Sequence, residues 1–213
     1  IYTQDIHLPG MLTAVVAHPP RFGAKVKSFD ATRAKAIKGV VDVIQIPTGV
    51  AVLGKSFWSA KKGRDALEVS WDETDAFRLS TSDITQQYKA LLDQPGVTAK
   101  KVGAGETALK AATQQLTADY SLPYLAHATM EPMNCVIRLS DTHCEVWNGE
   151  QAQSTDQPKL AAALGLQPEQ VTINMLYAGG SFGRRASTQS DYPLEAAYIA
   201  KAIRKAGQSA VVK

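Results

Sequence analysis

The run of residues with the clearest chemical potential is rich in glycine and lies between a predicted strand and a predicted helix. It reads Gly179-Gly180-Ser181-Phe182-Gly183-Arg184-Arg185. Glycine permits positive φ and lets a backbone approach a ligand closely. Exposed amides in such a loop can form an anion-binding concavity, and paired arginines can fork onto phosphate. The run therefore indicates an anionic or phosphorylated cofactor, with a tight turn and a solvated arginine pair as the alternative. It is neither the dinucleotide fingerprint nor the P-loop, because no Gly-Lys-Ser/Thr is present.

Two further polar segments interrupt predicted strands. In the first, which runs from Pro123 to Asn134, His127 and Glu131 could bind a metal or transfer protons, or form a structural pair. Glu131 precedes a proline, which favours an extended backbone. In the second, Gln151 follows a strand and could direct its amide at a ligand, or belong to an ordinary polar loop. No Ser-His-Asp set and no Cys-His pair stands out.

The elements that must position these segments follow from hydrophobic periodicity and turn residues. Strands are predicted over 11–18, 40–46, 50–53 and 68–71, with helices over 28–38 and 56–67, which makes a β-α-β-β-α-β unit. A polar stretch follows, with one amphipathic helix capped by Ser82 or Asp83; its apolar face carries Ile84, Tyr88, Leu91 and Leu92. Strands are then predicted over 116–122, 134–139, 143–147, 171–177 and 210–212, with helices over 156–164 and 191–205. We therefore expect an α+β fold, with units at 1–75 and 115–213 and a linker at 76–114.

Composition excludes several classes of protein. Hydrophobic residues make up 45% of the 213 residues and charged residues 20%, so a core can form. A net charge of +3 is too small to indicate a nucleic-acid partner. The two cysteines, Cys135 and Cys144, lack the spacing of a zinc site and are expected to be buried thiols. No membrane span or signal peptide is expected, and the opening residue, Ile1, suggests a piece of a longer polypeptide.

The three segments, in this order, resemble the molybdenum-cofactor-binding large subunit of the xanthine dehydrogenase and aldehyde oxidase family. The variant they resemble most is the isoquinoline 1-oxidoreductase β-subunit type. His127 to Asn134 is similar to its HAxMEPxN stretch, Trp147 to Gln151 to its W-x-x-x-Q stretch, and Gly179 to Arg185 to its GGxFGRR loop. The front unit, with Leu8-Pro9-Gly10 and Gly39-Val40-Val41-Asp42-Val43, resembles the family's α/β hammerhead domain.

The resemblance implies an oxidoreductase that inserts oxygen from water into an electron-poor carbon of an N-heterocycle or aldehyde. It implies a molybdenum–molybdopterin cytosine dinucleotide, and electrons that leave through iron–sulfur clusters on a small partner subunit. The residues that it implies at the cofactor are Gln151, Gly179, Gly180, Ser181, Phe182, Gly183 and Arg184. Glu131 and Asn134 would line the site, and the chain itself would supply no metal ligand.

The chain also departs from the family pattern. Xanthine-oxidising relatives carry a glutamate shortly after the glycine loop, where this chain has Arg184, Arg185 and Ala186, so a purine substrate is not expected. The family's catalytic base lies in a segment much nearer the C-terminus than any residue of this chain. We therefore expect no catalytic residue in these 213 residues, an inactive isolated piece, and dependence on the remaining domains of a parent chain.

Two other classes of function are compatible with the residues alone. One is a non-catalytic assembly or binding module in which the glycine run is only a turn. The other is a nucleotide-binding enzyme that uses Arg184 and Arg185. Substrate, electron acceptor and localisation, periplasmic or cytoplasmic, are not encoded in these residues.

Overall fold

The computed structural model describes all 213 residues, Ile1–Lys213. The chain divides into two compact units. The larger unit joins Ile1–Phe77 to His127–Lys213, and the smaller unit is Arg78–Ala126. The mixture of strands and helices confirms the predicted α+β class.

Strands and helices are interspersed along the larger unit, whereas the smaller unit contains helices and no strand. In Ile1–Phe77 they are β1 (Thr13–Ala17), β2 (Lys25–Asp30), α1 (Thr32–Lys35), β3 (Val40–Ile46), β4 (Gly49–Gly54), α2 (Phe57–Asp65) and β5 (Glu68–Asp72). In Arg78–Ala126 they are α3 (Thr81–Leu92) and α4 (Gly105–Ala111). In His127–Lys213 they are β6 (Val136–Leu139), β7 (Cys144–Asn148), α5 (Gln153–Leu164), β8 (Val171–Met175), α6 (Asp191–Ile203) and β9 (Ala210–Val212). No helix is both long enough and apolar enough to span a bilayer.

Three sheets organise the larger unit. The first has the order β1-β4-β3 and the second pairs β2 with β5, and both are antiparallel. The third has the order β8-β7-β6-β9, in which β7 and β8 run parallel and the other neighbours antiparallel. The parallel pair brings the ends of β7 and β8 to one edge of the sheet, since Asn148 lies opposite Met175. The segments that follow these two strands carry Gln151 and the glycine run.

Strand β4 is buried along its whole length, and its two faces contribute to two different cores. Ala51 and Leu53 belong to the main core, which is otherwise built largely from the third sheet with α5 and α6. Val50 and Val52 point to the opposite face and pack in a second, smaller core with Ala34. The front and rear segments therefore share packing. The division into a hammerhead and a cofactor-binding domain at the predicted boundaries stays a prediction.

The helix predicted over 28–38 is wrong for most of its length. Residues Lys25–Asp30 form β2, and only Thr32–Lys35 is helical. Val26 and Phe29 of this strand pack against the smaller core, and β2 pairs with β5, so tertiary pairing overrides the local helical pattern.

The unit Arg78–Ala126 differs from the prediction in three ways. Its first helix is capped by Ser80, whose hydroxyl accepts the Asp83 amide at 3.2 Å, rather than by Ser82 or Asp83. A second helix, α4, begins at Gly105, within the stretch that was predicted as a linker with a single helix. The strand predicted over 116–122 is absent: no neighbouring strand pairs with it, and Leu116 is 95% exposed.

The starts of α5 and α6 also needed tertiary information. Helix α5 begins at Gln153, three residues before the start predicted at 156. Ser190 precedes α6 but makes no cap bond, and its hydroxyl instead donates to the buried Asp156 at 2.5 Å. Cys135 and Cys144 are free and buried, as predicted, and burial raises the pKa of the Cys144 thiol to about 12.

Candidate functional site

The glycine run forms a loop with an unusual backbone. Gly180 and Gly183 have φ of 99° and 85°, and Phe182 between them has φ of 52° with its ring 73% exposed. A left-handed residue after an ordinary one, as Phe182 follows Ser181, is the backbone pattern of anion-binding nests. The four amides from Gly180 to Gly183 donate to no atom of the chain. The loop therefore presents several free donors to a ligand.

Gln151 lies beside this loop, where the chain leaves β7. The Ser181 hydroxyl donates to its side-chain oxygen Oε1, which leaves the Nε2 amide group free to donate. The turn itself is fixed by Glu150, whose Oε1 accepts the amides of Gln151 at 3.1 Å and Ala152 at 3.2 Å. The structure thus brings together two segments that are about thirty residues apart in sequence.

Glu131 and Asn134, predicted to line the site, lie behind the loop. Glu131 is only 6% exposed, and its Oε2 accepts the Gly179 amide at 2.8 Å. A Cβ on Gly179 would lie 2.4 Å from the Glu131 Cβ, so glycine is required for this approach. Asn134 donates to Glu131 Oε1 at 3.3 Å and to the Pro132 carbonyl at 2.7 Å.

The two arginines at the end of the loop behave differently. Arg184 makes a two-pronged ion pair with Asp191 at 3.0 and 2.7 Å, on the partly exposed surface at the start of α6. Arg185 is 0% exposed and makes an ion pair with Glu131 at 2.9 Å. Neither guanidinium is left without a partner, so the free donors of this site are backbone amides and Gln151.

A buried polar cluster that sequence reasoning missed supports the Gln151 turn. Asn148 donates to Glu150 Oε2 at 2.7 Å, and Asp156 lies close by with 2% of its surface exposed. Burial, reinforced by the Glu150 carboxylate, raises the pKa of Asp156 to about 6, although the hydrogen bond from Ser190 opposes the rise. Tyr192, whose pKa burial also raises, donates to the Gly149 carbonyl at 3.3 Å.

The Gly149 peptide is a second feature that was missed. Its amide donates at 3.2 Å to the hydroxyl of Thr3, which comes from the far N-terminal segment and is fully buried. A Cβ on Gly149 would lie 2.9 Å from the Ala178 Cα. Nothing in the sequence indicated that Thr3 and Arg185 would be the hydrogen-bond partners of this peptide.

His127, considered as a metal ligand or proton carrier, does not join Glu131. Its ring is exposed and lies 6.5 Å, centroid to centroid, from the Phe182 ring. No group of three or more histidine, cysteine or acidic side chains is arranged to hold a metal ion. The site is therefore a cradle of amide donors with one glutamine amide, suited to an anionic organic cofactor.

Comparison with known proteins agrees with this class of site. Residues 91–208, more than half of the chain, match the molybdopterin cofactor-binding domain. The chain belongs to this molybdopterin-binding family, of the xanthine dehydrogenase and aldehyde oxidase type, as the motifs predicted.

Two curated relatives show how much of the chain is shared. The chain is 33% identical over 213 residues to the membrane-bound aldehyde dehydrogenase (pyrroloquinoline-quinone) of Gluconacetobacter polyoxogenes, an alignment that covers 95% of this chain and 27% of that protein. It is 28% identical over 214 residues to isoquinoline 1-oxidoreductase subunit beta of Brevundimonas diminuta, covering 96% of this chain and 27% of that protein. The chain thus spans about a quarter of the length of these relatives.

A solved structure supports the fold. The aldehyde oxidoreductase from Desulfovibrio gigas superposes with a TM-score of 0.68 at 14% identity, over 100% of this chain and 28% of that one. At this identity the likeness concerns the fold alone.

Proposed function

We propose that this chain is part of a molybdenum hydroxylase that oxidises an N-heterocycle or an aldehyde with oxygen derived from water. The observation that carries the proposal is the loop of four free amides, Gly180 to Gly183, held against Gln151. The family match supports the cofactor, and the names of the relatives support the two substrate classes. A plain turn would not need a steric gap at Gly179 or a glutamine amide with free donors.

The residues present fit a molybdopterin group. The free amides would hold its oxygen and sulfur acceptors, and Gln151 Nε2 would donate to a ligand oxygen at the centre. Gly180 and Gly183 would allow the close approach, because a side chain at their positive φ would be strained. When bound, the group supplies a two-electron redox centre, for which we propose the cytosine dinucleotide form. Arg184 would contact the cofactor only by giving up part of its pairing with Asp191.

Phe182 fits a different role from the amides beside it. Its ring is exposed and lies near His127, so its side chain would cover the outside of the loop while its backbone faces the cofactor. Ser181 has a further role, because its hydroxyl donates to the Gln151 side chain and so orients the glutamine.

The relatives are about four times longer than this chain, which supports further domains as its partners. We infer that the remaining domains of a longer chain complete the site and supply the catalytic base, and that iron–sulfur clusters on a small subunit receive the electrons. Subunit naming in the Brevundimonas diminuta relative supports a multi-subunit enzyme. The 213-residue piece alone is expected to be inactive, and dye-linked oxidation of isoquinoline or an aldehyde by it would contradict this inference.

The first experiment is elemental and nucleotide analysis of the full-length protein, purified with its small subunit from a host that makes the cofactor. Stoichiometric molybdenum with released cytosine nucleotide is the expected result. Absence of both, with the fold intact, would favour the assembly-module alternative. Pyrroloquinoline quinone without molybdenum would instead favour the cofactor in the name of the Gluconacetobacter polyoxogenes relative. Binding of a plain nucleotide that is lost on changing Arg184 and Arg185 would favour the nucleotide-binding alternative.

A further inference from the structure

Arg185 is the largest fully buried side chain of the protein, and its guanidinium contacts three separate loops. Its Nε donates to the Gly180 carbonyl at 2.8 Å, within the glycine loop. Its Nη1 donates to the Gly149 carbonyl at 3.2 Å, just before Gln151. Its Nη2 donates to the Glu131 carbonyl at 3.2 Å and to Glu131 Oε2 at 2.9 Å. One rigid planar group therefore links all three segments that the sequence singled out.

Glu131 makes this arrangement possible. A buried guanidinium is costly unless it is paired and its donors are satisfied, and the Glu131 carboxylate provides the compensating charge. The same carboxylate oxygen accepts the Gly179 amide, while the Glu131 amide donates back to the Gly179 carbonyl at 3.1 Å. Glu131 and the glycine loop are thus held together in both directions.

The link reaches Gln151 by two routes. Arg185 Nη1 holds the Gly149 carbonyl two residues before it, and the Arg185 amide donates at 3.2 Å to the Ser181 hydroxyl that contacts the glutamine. The packing leaves little slack, because a Cβ added to Gly149 would lie 3.0 Å from Arg185 Nη1.

We propose that Arg185, paired with Glu131, is a positioning residue that sets the separation between the glycine loop and the Gln151 turn. It places the four free amides and the Gln151 amide in one geometry for the cofactor without touching the cofactor itself. Its role towards the cofactor rests on the proposed function, whereas its role in setting the loops does not. Lysine cannot replace it, since an ammonium group is a point charge without the planar fork of donors.

The test compares Arg185→Lys with Arg138→Lys in the full-length protein. Arg138 is the matched control because it is a paired arginine on β6, bound to Glu145 and stacked 5.4 Å from the Trp147 ring, and it makes none of the loop contacts of Arg185. Hydrogen–deuterium exchange is followed by mass spectrometry on segments 149–152 and 179–185 and on the core strands β6 and β7. We expect Arg185→Lys to speed exchange in both loops about tenfold or more, through local opening, with the core strands unchanged. Arg138→Lys leaves both loops as in the unmodified protein.

Activity per bound molybdenum provides the second readout. We expect Arg185→Lys to lower kcat about tenfold or more with little change in KM, because small misplacements of a site group are costly in the chemical step. Unchanged exchange in both loops, or equal acceleration of loops and core, would overturn the proposal. If Arg185→Lys fails to fold, Glu131→Gln decides: it keeps the side-chain shape, and the two loops must still loosen ahead of the core. An unmodified protein without molybdenum would refute the proposed function, while the exchange comparison would still decide the role of Arg185.

Discussion

Polar residues have different roles in the segment His127–Lys213 of the larger unit and in the unit Arg78–Ala126. Around the glycine loop, a charged pair is buried and each donor reaches a different segment of the chain. In Arg78–Ala126 no residue is buried, and the polar contacts are either local, as in the Ser80–Asp83 capping box, or exposed, as in the 2.8 Å bond between the Tyr88 and Tyr124 hydroxyls. Polar contacts in the first region therefore specify tertiary geometry, whereas those in the second mainly stabilise single helices.

The largest difference is expected when the buried pair is broken. Glu131→Ala leaves the Arg185 guanidinium buried without its counter-charge, which typically costs about 3–5 kcal/mol of unfolding free energy. The matched change is Asp191→Ala, which removes the partner of Arg184 on the surface and is expected to cost about 1 kcal/mol or less. Urea denaturation of both variants measures the contrast. Equal costs would show that burial of Arg185 carries no energetic consequence.

Replacing a glycine by alanine should also change the stability of the two regions to different extents. Gly179→Ala places a methyl group 2.4 Å from the Glu131 Cβ, so the Glu131 segment must shift, at a cost of about 3 kcal/mol. Gly96→Ala, in the exposed unit, meets nothing within 4 Å and should change stability by less than about 1 kcal/mol, in the stabilising direction. Thermal unfolding followed by circular dichroism compares them. A harmless Gly179→Ala would mean that the loop can move away from Glu131.

Dependence on pH should have opposite signs in the two regions. The pKa of Asp156 is raised to about 6 in the folded protein, chiefly by burial, so the folded state holds this proton more tightly than the unfolded state. Its contribution to stability is therefore greatest in acid and is lost as pH rises through about 6, by roughly 2 kcal/mol between pH 4 and pH 7. Asp156→Asn should remove this part of the pH profile of the unfolding free energy.

Asp83 provides the opposite case. Hydrogen bonds from Ser80 lower the pKa of this exposed carboxyl group, so its stabilising contribution is present above its unfolded pKa and is lost in acid. Asp83→Asn should therefore make the stability of α3 less sensitive to acid. Hydrogen exchange protection of the helix, measured as a function of pH, tests this. The same sign of pH effect in Asp83→Asn and Asp156→Asn would contradict the assigned causes.

The smallest effect is expected at the cap of α3. Ser80→Ala removes the side-chain acceptor of the Asp83 amide and should weaken the helix by about 1 kcal/mol. Ser82→Ala changes an exposed serine within the same helix and serves as the control. Exchange of residues 81–92 measures the difference, and protection elsewhere should not change. Loss of protection around Glu131 in Ser80→Ala would show that the cap does more than stabilise its own helix.

Several elements were predictable because their signals are local. The strand Val40–Ile46 and the helix that begins after Ser56 follow from alternation and capping, and the structure confirms both. The strand β2 was mistaken for a helix because its stability comes from β5, about forty residues later. A strand over 116–122 was predicted from alternation alone, yet alternation cannot supply a neighbouring strand.

The sequence by itself determined the family, the α+β class, and the three segments that meet at the site. Motif order and residue type can be recognised in a sequence without knowing which residues are in contact. Only the tertiary structure decided which of two adjacent arginines is buried. Arg184 and Arg185 have the same chemistry, and their environments differ because adjacent residues of the 3-10 turn Arg184–Ala186 point in different directions, one towards Asp191 and the other into the interior beside Glu131. The hydrogen-bond partners of Gly149, which are Thr3 and Arg185, lie far from it in the sequence, and only folding brings them within hydrogen-bonding distance.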